Sequence, residues 1–155
     1  MDNDISIINQ KLKTKLNVRV AGIFIDNDRI LLQKNDTFYT LIGGRVKFNE
    51  SSKDSFKREM KEELGIDLED KDVKLIDFIE NFFDCDNLIY HEFLFIYRVY
   101  DNKGLDSKNN FKTLDKEFSY NKWVSISNLD KLDFKPDIIK NNFKHNYLKH
   151  IIYKR

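Results

Sequence analysis

The segment from Gly43 to Ile66 constrains the fold of this chain more than any other part of the sequence. A glycine pair ends an apolar run, and helical periodicity then follows, with apolar residues at Phe56, Met60 and Leu64. Gly65 comes next, at the position where many helices end in a glycine. The segment therefore predicts a tight turn and then a helix over residues 51–64.

Three glutamates lie on that helix where they repel one another. With about 100° per residue, Glu59, Glu62 and Glu63 share an arc of about 100° beside the apolar stripe. Like charges three or four residues apart cost an isolated helix ~0.2–0.5 kcal/mol per pair, and the last turn of a helix favours cations. A hard divalent cation with oxygen ligands would offset this cost. The alternative is that these are solvated glutamates on an exposed face.

The polar residues of the segment have a fixed spacing. The sequence from Gly44 is Gly44-x5-Glu50-x7-Arg58-Glu59-Met60-x-Glu62-Glu63-x-Gly65-Ile66. Seven glycine or polar identities at ~6% each coincide at a given start on the order of once in 10⁸. The segment resembles the Nudix box at every position, and the wider chain resembles Nudix hydrolases over roughly residues 17 to 140.

The resemblance implies a loop–helix–loop that binds Mg²⁺ or Mn²⁺. Glu59, Glu62 and Glu63 match the acidic residues that ligate the metal or activate water. Gly43 matches the glycine whose carbonyl can complete the metal shell. Two departures accompany the match. Ile42 replaces the proline that many members have before the glycines, and Asp137 replaces an asparagine that reads the base in some nucleotide-pool-sanitising members, so a guanine-specific role is not supported.

Further site residues follow from the same resemblance. Arg58 and Glu50 match a pair that holds the helix and the catalytic loop together. Glu117 lies six residues before Trp123, where some Nudix enzymes place a metal-binding or base glutamate. The alternative for Glu117 is an ordinary solvated loop residue, and Glu92 is a rival candidate.

Basic residues near the glycine pair are candidates for holding substrate phosphate. Arg45 and Lys47 follow the pair directly, and Arg19 alternates with apolar residues on a predicted strand. The alternative for each of them is a surface charge.

The implied reaction is metal-assisted attack of water on phosphorus in a nucleoside diphosphate linked to another group. Two alternatives stay open, a sensor that binds a nucleotide without hydrolysing it and an RNA 5′-end pyrophosphohydrolase. The chain has 27 Lys and Arg against 26 Asp and Glu, a net charge of +1, which provides no global field for nucleic acid. The expected partner is therefore a small nucleotide-type substrate.

Strand patterns before and after the box indicate an α+β fold, a mixed α/β/α sandwich in which residues 1–155 form one domain. The predicted strands cover 18–26 and 29–33 around an Asn27-Asp28 turn, then 38–42, 73–83, 88–100 and 122–126. A closing helix is predicted at 137–152, after Pro136.

The remaining expectations concern the environment of the protein. A single cysteine, Cys85, excludes an internal disulfide framework and suits a reducing cytoplasm. The sequence has neither the apolar core of a signal peptide nor the run of ~20 apolar residues that a membrane helix needs. Nudix enzymes are often dimers, so a homodimer is compatible with the resemblance.

Overall fold

Strands predominate in the computed structural model, which describes residues 3–141 and 143–155. The strands are β1 (Ser6–Asn9), β2 (Thr14–Asp26), β3 (Arg29–Lys34), β4 (Tyr39–Thr40), β5 (Ile42–Arg45), β6 (Val73–Cys85), β7 (Leu88–Val99), β8 (Asn110–Lys112), β9 (Tyr120–Ser125), β10 (Phe134–Lys135) and β11 (Lys149–Lys154). In the described part of the chain the one α-helix is α1 (Ser52–Leu64). Short 3₁₀ helices cover Asp70–Asp72, Leu105–Ser107, Ile126–Lys131 and Asp137–Asn141. None of the helices in these residues has the length and apolar character needed to cross a membrane.

Strand β2 connects two groups of strands. Along most of its length it pairs with β7 in parallel, and on its other side with β5 and β1 antiparallel. Its last two residues pair with β3 across the predicted turn, where Asn27 has a φ of 53°. The order continues through β7 to β6 and β11 on one side, and through β3 to β4 and β9 on the other. The sheet is therefore mixed, which confirms the predicted α+β class.

Local sequence determines both ends of α1. The Ser51 side chain accepts a hydrogen bond from the backbone N–H of Asp54 at 3.0 Å and so caps the first turn. Gly65 adopts the left-handed conformation with φ 70°, and its N–H donates to the carbonyl of Lys61. A glycine takes this conformation without steric cost. The helix predicted at 51–64 is confirmed.

Apolar residues on the buried side of α1 attach it to the sheet. The Phe56 ring stacks on Tyr97 of β7, with centroids 5.1 Å apart. Gly22 of β2 provides the space, because a Cβ at that position would lie 2.5 Å from the Phe56 ring. A second apolar core covers the opposite face of the sheet, where Leu129 and Ile139 of the 3₁₀ helices pack. In the described residues this second layer consists of 3₁₀ turns instead of the α-helix that a sandwich implies.

The glycine pair lies inside a strand, and the expectation that it follows the strand at 38–42 is wrong. Gly43 and Gly44 belong to β5 and pair with Ala21 and Val20 of β2. A Cβ at Gly43 would lie 2.0 Å from the carbonyl oxygen of Val20. The pairing continues through this position because glycine permits such a close backbone approach.

The predicted closing helix at 137–152 is wrong for the residues described. A 3₁₀ helix ends at Asn141, and Lys149–Lys154 forms β11, which pairs in parallel with β6; Asn142 lies outside the described residues. Burial alternates along β11 with a period of two, and Ile151 and Tyr153 pack against the second core. Asparagine, β-branched and aromatic residues have weak helix propensity, so pairing with the free edge of β6 prevails.

Candidate active site

Helix α1 places its three glutamates in three different environments. Glu63 is 1% exposed and Glu59 is also buried, whereas the Glu62 side chain is 43% exposed. Glu59 and Glu63 lie one turn apart, next to the apolar stripe, as the predicted arc requires. The cost of burial raises the pKa of both carboxyl groups above their ordinary value. The C-terminal half of α1 therefore carries two poorly solvated carboxylates and one exposed carboxylate.

Arg58 joins this helix to the loop that precedes it. Its guanidinium donates to both oxygens of Glu50, through Nε at 2.5 Å and Nη2 at 3.1 Å. Nη2 also donates to the carbonyl of Arg45 at 3.1 Å, and the backbone N–H of Lys47 donates to Glu50. The hydrogen bonds from Arg58 lower the pKa of Glu50. These contacts support the role that the resemblance implies for the pair, which is to hold the helix and the loop together.

The same guanidinium also contacts the acidic residues. Arg58 Nη1 donates to Glu59 Oε1 at 2.8 Å and to Glu62 Oε2 at 3.2 Å. Gly44 lies beside the Glu59 carboxyl group, where an added Cβ would be 2.1 Å from Cδ. Arg58 and the bare backbone of Gly44 together fix the direction of the Glu59 side chain.

A third acidic residue completes a cluster that the sequence did not identify. One carboxylate oxygen from each of Glu59, Glu62 and Asp115 lies within 4.8 Å of the other two. Asp115 is exposed and belongs to the loop 113–119 between β8 and β9. Carboxylate oxygens are the donors that hard divalent cations such as Mg²⁺ and Mn²⁺ prefer, so the donor set fits such an ion. The available sequence signal was an acidic loop, without an indication of which acid approaches the helix.

The loop that carries Asp115 is attached to the end of α1. The backbone N–H of Leu114 donates to the carbonyl of Glu63 at 3.0 Å. The ammonium group of Lys116 lies 2.6 Å from Glu63 Oε1. Gln33 of β3 donates from Nε2 to Glu63 Oε2 at 3.3 Å. Glu63, a candidate metal ligand, is thus paired with a lysine and an amide outside the cluster of Glu59, Glu62 and Asp115.

The two remaining acidic candidates lie elsewhere. Glu117 is exposed and has no side-chain hydrogen bond or ion pair within the residues described, although it is only two residues from Asp115. Glu92 is buried on β7 and accepts a hydrogen bond from Asn81 Nδ2 at 3.3 Å. It is two and four residues from Leu94 and Ile96 of the second core, so it shares their face of the sheet, away from α1.

The basic candidates lie around β5 but not in the acidic cluster. Arg19 and Arg45 are register partners on β2 and β5, and Arg45 is 3.5 Å from Asp4. Since Val18 and Val20 contact the core under α1, Arg19 faces the opposite side of the sheet. Lys47 is half-buried after β5, where its backbone contacts Glu50.

Comparison with known proteins places this arrangement in a family. The family model described as "NUDIX domain" matches residues 15–144. No curated protein matches the chain.

Three solved structures illustrate the similarity of fold. The MutT protein from Bacillus halodurans has a TM-score of 0.68 at 19% identity, over 89% of this chain and 90% of that one. The E. coli ORF135 protein has a TM-score of 0.53 at 24% identity, over 81% and 85%. An ADP-ribose pyrophosphatase from Streptococcus suis has 0.53 at 16% identity, over 88% and 98%. At these identities the similarity shows the fold alone.

Proposed function

The chain belongs to the Nudix hydrolase family, and on that premise we propose that it hydrolyses the phosphoanhydride bond of a nucleoside diphosphate linked to another group, with Mg²⁺ or Mn²⁺ as cofactor. The observation that carries the proposal is the convergence of Glu59, Glu62 and Asp115 at the end of α1. A binding protein that does not hydrolyse its nucleotide has no need of such a costly concentration of carboxylates.

The acidic residues would supply metal ligands and a proton acceptor. Glu59, Glu62 and Asp115 would hold the cation, and Glu63 and the carbonyl of Gly43 are the further ligands that the Nudix box implies. A bound divalent cation supplies charge that offsets the negative charge developing on phosphate, and it lowers the pKa of a bound water. Glu59, which is also a candidate ligand and whose pKa is raised by burial, is one candidate to accept the proton of the attacking water. Glu117 is the alternative base.

The reaction follows from these roles. The water oxygen bonds to one phosphorus of the diphosphate bridge while its proton passes to the carboxylate base. The bridging P–O bond then breaks, and its electron pair leaves with the departing phosphate oxygen. Of the basic candidates, Arg19 and its register partner Arg45 lie on the face of the sheet away from α1, so Lys47, whose backbone N–H contacts Glu50, is the phosphate contact that we propose.

A hydrolysis assay over a substrate panel tests the proposal. The panel contains nucleoside triphosphates, nucleoside diphosphate sugars, dinucleoside polyphosphates and a 5′-triphosphorylated oligoribonucleotide. It also contains ADP-ribose, because a pyrophosphatase named for that compound shares the fold. At least one compound should be cleaved with Mg²⁺ or Mn²⁺, and EDTA should abolish cleavage.

Two variants give the assay a matched control. Glu59→Gln should be strongly impaired, and Asp106→Asn, which changes an exposed residue of the 3₁₀ helix Leu105–Ser107, should retain wild-type activity. Cleavage that persists in EDTA would contradict the proposal. Cleavage of the oligoribonucleotide alone, with steep salt dependence, would instead favour an RNA 5′-end pyrophosphohydrolase.

A further inference from the structure

We propose that Lys116 is an internal counter-cation for Glu63 and competes with the divalent metal for that carboxylate. The inference rests on the proposed function, since it assumes that Glu63 helps to bind a metal. Its basis is a closed set of three side chains. Lys116 Nζ contacts Glu63 Oε1 at 2.6 Å and Gln33 Oε1 at 3.0 Å, while Gln33 Nε2 contacts Glu63 Oε2.

Glu63 requires a compensating charge because it is buried. Its side chain is 1% exposed, and an ionised carboxylate in such a place is costly unless it is paired and hydrogen-bonded. Arg58, the nearest arginine on the helix, contacts Glu50, Glu59 and Glu62 and has no described contact with Glu63. Within the described residues Lys116 is the cation paired with Glu63.

The ammonium group of Lys116 can also move away from Glu63 into water. Its side chain is 38% exposed and lies on a loop where the flanking Asp115 and Glu117 are exposed. An ammonium group on a four-carbon stem is a single point charge that reaches water by a small rotation, unlike a guanidinium bound at several points. Gln33 is bonded to Thr113 as well as to Glu63, so its amide stays in place when the ammonium group withdraws.

A cation among Glu59, Glu62 and Asp115 would act on Lys116 directly. Asp115 is its neighbour in sequence, and Glu59 is one helical turn from Glu63. Two positive ions near the same carboxylates repel each other. Binding of the metal and pairing of Lys116 therefore oppose each other, and by linkage each weakens the other by the same factor.

This competition predicts that one variant has lower stability without metal but higher affinity for Mg²⁺. Lys116→Met removes the charge and keeps most of the side-chain volume. Without metal, the variant should melt several degrees below wild type in EDTA, because Glu63 loses its counter-cation. Its Kd for Mg²⁺ should be about fivefold lower or more, because the metal no longer displaces a bound cation. Lys116→Arg keeps the charge and should shift the Mg²⁺ affinity much less.

The measurements are melting curves in EDTA and calorimetric titration with Mg²⁺ alone, so no substrate is involved. Lys112→Met is the matched control, because Lys112 is exposed on β8 and forms none of the ion pairs described. It should match wild type in both measurements. If Lys116→Met does not fold, Lys116→Gln retains a hydrogen-bond donor for Glu63 and carries the same prediction.

The sign of the affinity change decides the outcome. Unchanged or weaker Mg²⁺ binding in Lys116→Met would overturn the inference, because a lysine that only anchors the loop of Asp115 would assist metal binding. This result leaves the proposed function intact, since wild type still binds Mg²⁺. Absence of Mg²⁺ and Mn²⁺ binding by wild type would overturn the proposed function and the inference together.

Discussion

Two ion pairs attach α1 to the loops on either side of it, one at the middle of the helix and one near its C-terminal end, and they differ in burial and in the cation. Glu50 is partly exposed and binds Arg58 through both oxygens, and this contact lowers the pKa of Glu50. Glu63 is almost fully buried and binds Lys116 through one oxygen, and burial raises its pKa. A guanidinium fork matched to a carboxylate is difficult to replace, whereas a single ammonium is exchangeable for another cation. The first pair is therefore expected to serve the fold and the second to serve the chemistry.

We expect the largest difference between the two pairs in their effect on kcat. Glu63→Gln should lower kcat by at least ~10²–10³, as is typical when a group that stabilises transition-state charge is lost. Glu50→Gln should lower it much less, because Glu50 contacts Arg58, Ser55 and the backbone of Lys47, which lie outside the cluster of Glu59, Glu62 and Asp115. Steady-state kinetics on the best substrate of the panel give the comparison. Equal losses would show that both pairs belong to the catalytic machinery.

For the free energy of unfolding, we expect the Arg58–Glu50 pair to matter more than it does for catalysis. Glu50→Gln should reduce the free energy of unfolding by about 1.5–3 kcal/mol, the typical contribution of hydrogen bonds to charged groups. Urea titration in EDTA measures this change. Asp67→Asn is the control, because its 2.9 Å pair with Lys61 is exposed and such pairs contribute ~0–1 kcal/mol. A loss for Glu50→Gln no larger than the control would remove the structural role of the Arg58 pair.

The loop on the Lys116 side provides the next test. Asp115→Asn should weaken Mg²⁺ binding by roughly tenfold, since a ligand of the hard cation becomes neutral. Glu117→Gln changes an exposed residue of the same loop and should leave Mg²⁺ binding unchanged. If Glu117→Gln lowers kcat without changing Mg²⁺ affinity, Glu117 is the base. The opposite ranking in metal affinity would return Glu117 to the metal site in place of Asp115.

The smallest expected effect is on the pH dependence of stability, where Glu50 and Glu59 should contribute with opposite signs. The pKa of Glu50 is lowered from 4.5, so its stabilisation is present above pH 4.5 and is lost as the pH falls through the lower folded value. The pKa of Glu59 is raised from 4.5, so stability in EDTA is lost as the pH rises from 4.5 through the higher folded value. Glu59→Gln should therefore be more stable than wild type at pH 7, by ~0.3–1 kcal/mol.

Melting curves between pH 3 and pH 8 check this difference. The advantage of Glu59→Gln should disappear below pH 4.5, and the deficit of Glu50→Gln should shrink over the same acidic range. Parallel curves for the three proteins would show that these carboxyl groups titrate alike in the folded and unfolded states.

The same contrast separates what the sequence predicts from what it does not. Helix α1 and the glycine at its end follow from spacings of a few residues, and the resemblance to the Nudix box implied the Arg58–Glu50 pair. The contact of Lys116 with Glu63 depends on the path of a loop that a backbone hydrogen bond from Leu114 fixes against the helix. Strand β11 pairs with residues about seventy positions earlier, such as Ile151 with Ile79. Periodicity within a short window contains no information on such a partner.

Strand β11 has a consequence for how the chain tolerates shortening. It covers an edge of β6, and the backbone N–H of Arg155 donates to the carbonyl of Phe82. A chain cut before Lys149 would leave that row of backbone groups unpaired, and an uncovered edge is a template for a strand from another molecule. The truncated protein should therefore associate more than the full chain does, and a synthetic peptide of residues 149–155 should reverse this added association by taking the place of the missing strand.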